Sequence, residues 1–271
     1  MIIMNKIKNI FLLLLIGVAL MYSCNTENNT FSNPFIDINH VELAITDNDS
    51  IVKFLQNNYY DVSVDSIKTL VDGKISLFDD TKLDSISVLE NNIDHTLYIY
   101  TIEEGQPSPV KGNPTVMDSV FVKYSGRAIL ESDVSTTNFD INETGTWFTL
   151  SAVVKGWKFG ITNFLSGELK KDANGGVFNG PITYLNTGKG FLFIPSGLGY
   201  PSSSAANYSN SLVDRNLLFY IDLLDIVEDT DHDNDGVPSI QEDADGDGDP
   251  TNDFSDNSNP TVPDYLNPTI N

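Results

Sequence analysis

In 271 residues the chain carries 38 acidic side chains against 15 basic ones, a net charge of −23. Such a surface repels phosphate backbones, which excludes nucleic acid as an expected partner, and an apolar fraction of 40% excludes disorder of the whole chain. The excess is uneven. From Glu228 onward there are 13 Asp and Glu residues and no Lys or Arg, so a short tail holds more than half of the net charge.

At the start, Lys6 and Lys8 precede an apolar run from Ile10 to Leu20, and Ser23-Cys24 follow closely. A basic start, a short apolar run and a small residue before the cut read as a secretory signal over residues 1–23, too short for a confident membrane span. Cys24 is the only cysteine, so no intrachain disulfide is possible. Its position resembles the lipobox of bacterial lipoproteins, although Met21 and Tyr22 depart from the usual Leu and small residue. That resemblance implies lipidation of Cys24 and a membrane-anchored protein of the periplasm, the outer membrane or the cell surface. An uncleaved N-terminal anchor with an incidental cysteine is the alternative. Residues 24–34 are polar and aperiodic, as expected of a tether.

Residues 35–105 are a region to which the sequence assigns no role. Ile51, Phe54 and Leu55 share one face of a short helix starting near Thr46-Asp47, and Leu97 to Ile102 is β-branched and aromatic, hence a strand. Gln106 to Thr115 is a Pro-rich connector. Beyond it, an extended pattern runs from Val120 toward Leu130, with further strands at Thr146–Leu150, Gly190–Ile194 and Leu217–Ile226. Trp157, Ile161, Phe164 and Leu165 fall at helical spacing. Several strands and one short helix predict an antiparallel α+β domain over residues 106–228.

Five stretches of that region, in order, resemble FKBP-type peptidyl-prolyl isomerases. They are Val122-Lys123-Tyr124-Ser125-Gly126, Phe139-Asp140, Val153-Val154-Lys155-Gly156-Trp157, Phe193-Ile194-Pro195 leading to Tyr200, and Leu217 to Leu224. The resemblance implies an antiparallel sheet wrapped around one short helix and an isomerase that needs no cofactor for catalysis. Its partners would be proline-containing exported polypeptides. Carried over residue by residue, it makes Trp157 the floor of a proline cup. Tyr124, Phe139, Phe148, Val154 and Phe219 form the walls, and Asp140 and Tyr200 are the polar groups at the rim. An insertion over roughly Lys171–Lys189, Pro201 after Tyr200, and Ser211–Asp214 before the last strand depart from the family pattern. Two other readings stay open: a non-catalytic peptide-binding module, and a calcium-dependent surface protein on the same fold.

Residues 229–271 form the acidic tail. Asp231, Asp233 and Asp235 alternate ahead of Gly236, and Glu242 falls at the twelfth position, a spacing that wraps a hard cation in oxygen ligands. Asp245, Asp247, Asp249, Asp253 and Asp256 make a second set. The pattern resembles thrombospondin type 3 repeats and implies structural calcium, with His232 an exposed bystander.

Overall fold

The computed structural model describes residues 37–130 and 137–270, and between them the backbone of Asp133–Val134. The expected signal segment over 1–23, the expected tether at 24–34 and Cys24 lie outside the described residues, and no described helix is long and apolar enough to cross a membrane.

Helix α1 spans His40–Asn57. The Asn39 side-chain oxygen accepts from the backbone N–H groups of Val41 and Glu42 at 3.2 and 3.4 Å, a polar N-cap. The sequence placed the start near Thr46. It missed the first turns because Val41 and Ile45 there face solvent and set no stripe. Asp47, Ile51, Phe54 and Leu55 form the buried face.

A hairpin follows, β1 (Asn58–Asp61) with β2 (Ser66–Thr69). The main sheet uses β3 (Leu83–Glu90), β4 (Ile93–Glu103), β5 (Ser119–Leu130), β6 (Asp133–Val134) and β7 (Asp140–Thr149). Helix α2 (Lys155–Gly160) comes next, then a small hairpin, β8 (Glu168–Leu169) with β9 (Tyr184–Leu185), whose connecting loop and second strand fall in the expected insertion. Strands β10 (Gly188–Ile194) and β11 (Leu217–Val227) complete the sheet. The order is β3-β4-β10-β11-β5, all pairs antiparallel, with β7 and the short β6 both on β5. This is the α+β architecture expected: an antiparallel sheet around one short helix.

Two faces of the sheet are buried. Leu192 and Ile194 of β10, Leu217, Phe219 and Ile221 of β11, and Val122 and Tyr124 of β5 pack around Trp157 and Ile161. The alternate residues Phe191, Phe193 and Leu218 turn the other way, onto Ile51, Phe54 and Leu55 of α1. Strands buried on both faces read as continuous apolar runs, as β10 and β11 do. The described part of the region at 35–105, residues 37–105, is therefore no separate unit: β3 and β4 extend the sheet past β10, and α1 with the first hairpin covers its second face.

Asp47 ties that cover to the rest. It is buried, and its Oδ2 accepts from the Ser196 N–H at 3.1 Å and from the Ser196 Oγ at 2.5 Å. Burial pushes its carboxyl up from 3.8 to about 6, against the hydrogen bonds from Ser196 that favour the ionised form. A raised carboxyl pKa in the folded state means that the fold takes up the proton first, so this contribution to stability is present at low pH. It is lost as pH rises from 3.8 through about 6. Denaturant unfolding of wild type and Asp47→Asn at pH 4 and pH 7.5 should therefore diverge. The variant should gain on wild type by roughly 2 kcal/mol between the two pH values, since one pKa unit is about 1.4 kcal/mol; a constant difference between the two proteins refutes the assignment.

Candidate functional site

Three strands and one helix end converge on an open cleft of about 220 Å³, lined by Tyr124, Asp140, Phe148, Ala152, Val153, Val154, Trp157, Tyr200 and Phe219. Sheet register explains the grouping. Phe219 of β11 lies beside Gly126 of β5, and Gly126 beside Asp140 of β7. The β5–β7 register shifts between Val122 and Tyr124, an irregularity that re-aims side chains at the cleft.

Val154 is the N-cap residue of α2, and the Trp157 N–H donates to its carbonyl at 2.9 Å, which fixes the indole in the first turn. Helix and sheet approach closely here: a methyl group on Gly156 would collide with the Ile194 side chain. Trp157 forms the floor, with ring centroids of Tyr124, Phe219 and Phe148 at 4.9, 5.1 and 5.4 Å, all edge-to-face. Phe139 stands behind Phe219 at 5.4 Å, also edge-to-face, and supports that wall. Phe148, not its neighbour, enters the cleft; Trp147 points the other way and stacks on Phe121 at 5.2 Å.

At the rim, the Tyr124 Oη donates to Asp140 Oδ2 at 2.9 Å. Burial first, then the bond to Asp140 and its negative charge, push the phenol up to about 12, so Tyr124 stays a neutral donor at any physiological pH. Tyr200 is raised likewise, by burial and then by Asp140. An aromatic cup with a carboxylate and two phenols at its edge can hold a small apolar ring and orient the amides beside it.

Seven of the eight cup residues named from sequence line the cleft, and Phe139 buttresses it. Ala152 and Val153 were missed as lining residues; only the adjacency of Val153 to Val154 could have signalled them.

In the tail, Asp231, Asp233 and Asp235 bring carboxylate oxygens within 4.8 Å of one another. Glu242 is 6% exposed, and neither of its carboxylate oxygens has a hydrogen-bond partner, nor has the buried Asp233 Oδ2. Burial, then the charges of Asp233, Asp235 and Asp231, push Glu242 up to about 7. Orphan oxygens among converging carboxylates suit a hard cation.

The second set is corrected. Asp245 and Asp253 converge with Asp243 rather than with the other three. Asp247 accepts from the Asp249 N–H at 2.8 Å and from the Asn252 Nδ2 at 2.9 Å. Asp249 turns to Lys155 and Lys158. Asp256 accepts from Ser258 and Asn267. Regular spacing cannot separate a ligand from an aspartate that caps the next turn. His232 is no exposed bystander: it is half-buried, 2.9 Å from the Ser239 Oγ and edge-on to Tyr265 at 5.4 Å.

No protein-family model and no curated protein sequence matches the chain. Among solved structures, a peptidyl-prolyl cis-trans isomerase from Pseudomonas syringae is similar at 16% identity and a TM-score of 0.41, covering 71% of this chain and 98% of that one. FkpA from Escherichia coli is similar at 23% identity and a TM-score of 0.35, covering 52% of each chain. The N-terminal domain of FKBP42 from Arabidopsis thaliana gives 15% identity and a TM-score of 0.35, over 54% of this chain and 94% of that one. At these scores the chemistry has to come from the cup's own side chains.

The cup depends on the absence of a side chain at Gly126, where a methyl group would sit 2.6 Å from both the Phe139 and the Phe219 rings. Gly126→Ala should destabilise the protein by about 1–3 kcal/mol, the usual cost of overpacking. It should also shift Trp157 emission, read in a Trp147→Phe background. An unchanged denaturation midpoint and spectrum would show that the wall has slack.

Proposed function

We propose that the chain is a peptidyl-prolyl cis/trans isomerase of the FKBP type that acts on proline-containing exported polypeptides. The observation that carries this reading is the cup itself: Trp157 walled by Tyr124, Phe148 and Phe219, with the Tyr124–Asp140 bond at its edge.

Rotation about an X-Pro bond meets a barrier of about 18–20 kcal/mol because it destroys amide resonance. No proton has to be transferred and no covalent intermediate has to form. The prolyl ring would sit over Trp157, between Tyr124, Phe148, Val154 and Phe219. There the amide loses water, which favours the less dipolar twisted state over the planar one. Asp140 and the Tyr200 hydroxyl would orient the flanking amide groups.

The tail adds a structural role for calcium, with Asp231, Asp233, Asp235 and Glu242 around one ion and Asp243, Asp245 and Asp253 around another. The buried, unpartnered oxygens of Glu242 support the first assignment. Acylation at Cys24 would hold the protein at a membrane, and several acyl chains are needed for lasting attachment.

A protease-coupled or NMR exchange assay on a Leu-Pro or Phe-Pro peptide tests the activity. The full mature chain should accelerate exchange, and Asp140→Ala or Phe139→Ala should cut kcat/KM at least about tenfold, on the order of 1.4 kcal/mol, with the fold retained. A wild-type rate equal to the uncatalysed one, with the peptide still bound, would favour the non-catalytic binding module. For the tail, calorimetry should show heat of binding at millimolar calcium. Glu242→Gln should weaken one site by at least about tenfold, roughly 1.4 kcal/mol; titration curves that coincide for the two proteins would remove Glu242 from the ligand set.

A further inference from the structure

Helix α2 is six residues long, and two of them, Lys155 and Lys158, flank Trp157. Both reach the same residue of the tail. The Lys155 Nζ lies 2.9 Å from Asp249 Oδ2, and the Lys158 Nζ bonds Asp249 Oδ1 and, at 3.0 Å, the Thr251 Oγ1. Lys158 is 2% exposed and Asp249 6%, so this is a buried ion pair rather than a surface one. Burial favours neutral forms, yet the bonds from Lys158, Thr251 and Lys155 hold Asp249 well below the ordinary carboxylate range. Loss of either partner would strand a buried charge.

Asp249 and Thr251 lie on a hoop of chain whose two ends carry the second carboxylate cluster. Asp243 and Asp245 stand before them and Asp253 after, all within 4.8 Å of one another. The closure is braced by the Ala244 N–H on Asp253 Oδ2 at 3.1 Å and by the Asp264 N–H on the Asp253 carbonyl at 2.9 Å. Next to Asp243 is Glu242, the buried side chain with two orphan oxygens that faces Asp231, Asp233 and Asp235. Like charges within each cluster repel, and a cation joining them would relieve that repulsion. The hoop is also the only part of the tail that grips α2 through charge among the described residues.

We infer that calcium held by the tail controls the aromatic cup, because bracing the hoop holds Asp249 against Lys155 and Lys158 and so fixes the turn that carries Trp157. The inference rests on the isomerase reading of the cup and gives that activity a cation-dependent setting. Two carboxylate clusters, one ion pair and one short helix form the contiguous path by which the sites would be coupled.

The test uses the full mature chain carrying Trp147→Phe, which leaves Trp157 as the only indole. Calcium chloride is titrated, with magnesium chloride at equal ionic strength as the screening control. Calorimetric heat, Trp157 emission and kcat/KM for an X-Pro peptide are followed together. All three should change with one midpoint, kcat/KM by about fivefold or more, the low end of ordinary coupling between sites. In Lys158→Met the heat of calcium binding should remain while Trp157 emission and kcat/KM stop responding. Asp249→Asn should do the same, and covers the case in which Lys158→Met does not fold. Calcium heat in wild type with flat Trp157 emission overturns the coupling and leaves the calcium assignment standing. No heat at millimolar calcium overturns both. A cation-dependent Trp157 signal in a protein with no isomerase activity upholds the link and removes the enzymatic reading beneath it.

Discussion

Between helix α2 and strand β10 there is room for a backbone and little else. Gly156 rests against Ile194, and that approach puts Trp157 deep enough to meet rings from three strands. A larger residue would lift the helix and leave a gap under the indole, since interiors close-packed to this degree transmit a displacement rather than absorb it. The core around Trp157, the floor of the cleft and the two lysines that reach the tail all take their positions from this one contact. The opposite face of the sheet is fixed separately, by α1, whose Asp47 holds the Ser196 turn from which the chain runs on to Tyr200.

What could be read from the residues alone was set by periodicity and by local order. Strands β10 and β11 announce themselves because they are buried on both faces and run largely apolar, and β5 because buried residues alternate along it. The cup was legible because its members sit in five short stretches whose order can be followed along the chain. Helix α1 was half visible: Ile51, Phe54 and Leu55 mark its buried face, whereas Val41 and Ile45 face solvent and hide its first turns. Membership of β3 and β4 in the main sheet was not legible, since Leu97 to Tyr100 states that a strand exists and not which strand it joins.

The tail shows the same limit in another form. Alternating aspartates say that oxygen ligands are at hand, but each aspartate can equally accept the backbone N–H two residues on, as Asp247 does from Asp249. Spacing therefore grouped Asp245 and Asp253, which do converge, passed over Asp243, which converges with them, and enrolled Asp249, whose charge faces Lys155 and Lys158 instead. A partner about ninety residues away in sequence leaves no local signature. In a chain with 15 basic residues, the commitment of two of them to one aspartate marks that contact as specific.

Strand order also governs when the molecule can fold. Strand β4 has β3 beside it at once, through a tight turn at Asn91-Asn92, but its other neighbour is β10, and β5 waits for β11. Both pairings close loops of roughly ninety residues, an entropic cost met before any contact rewards it. The open edge of β4 has no strand to pair with until Ile194 has left the ribosome, and that of β5 until Val227 has, and such open edges invite association with other chains. The nascent polypeptide therefore spends its synthesis as a client in need of protection, and its sheet closes only after the last strand has arrived.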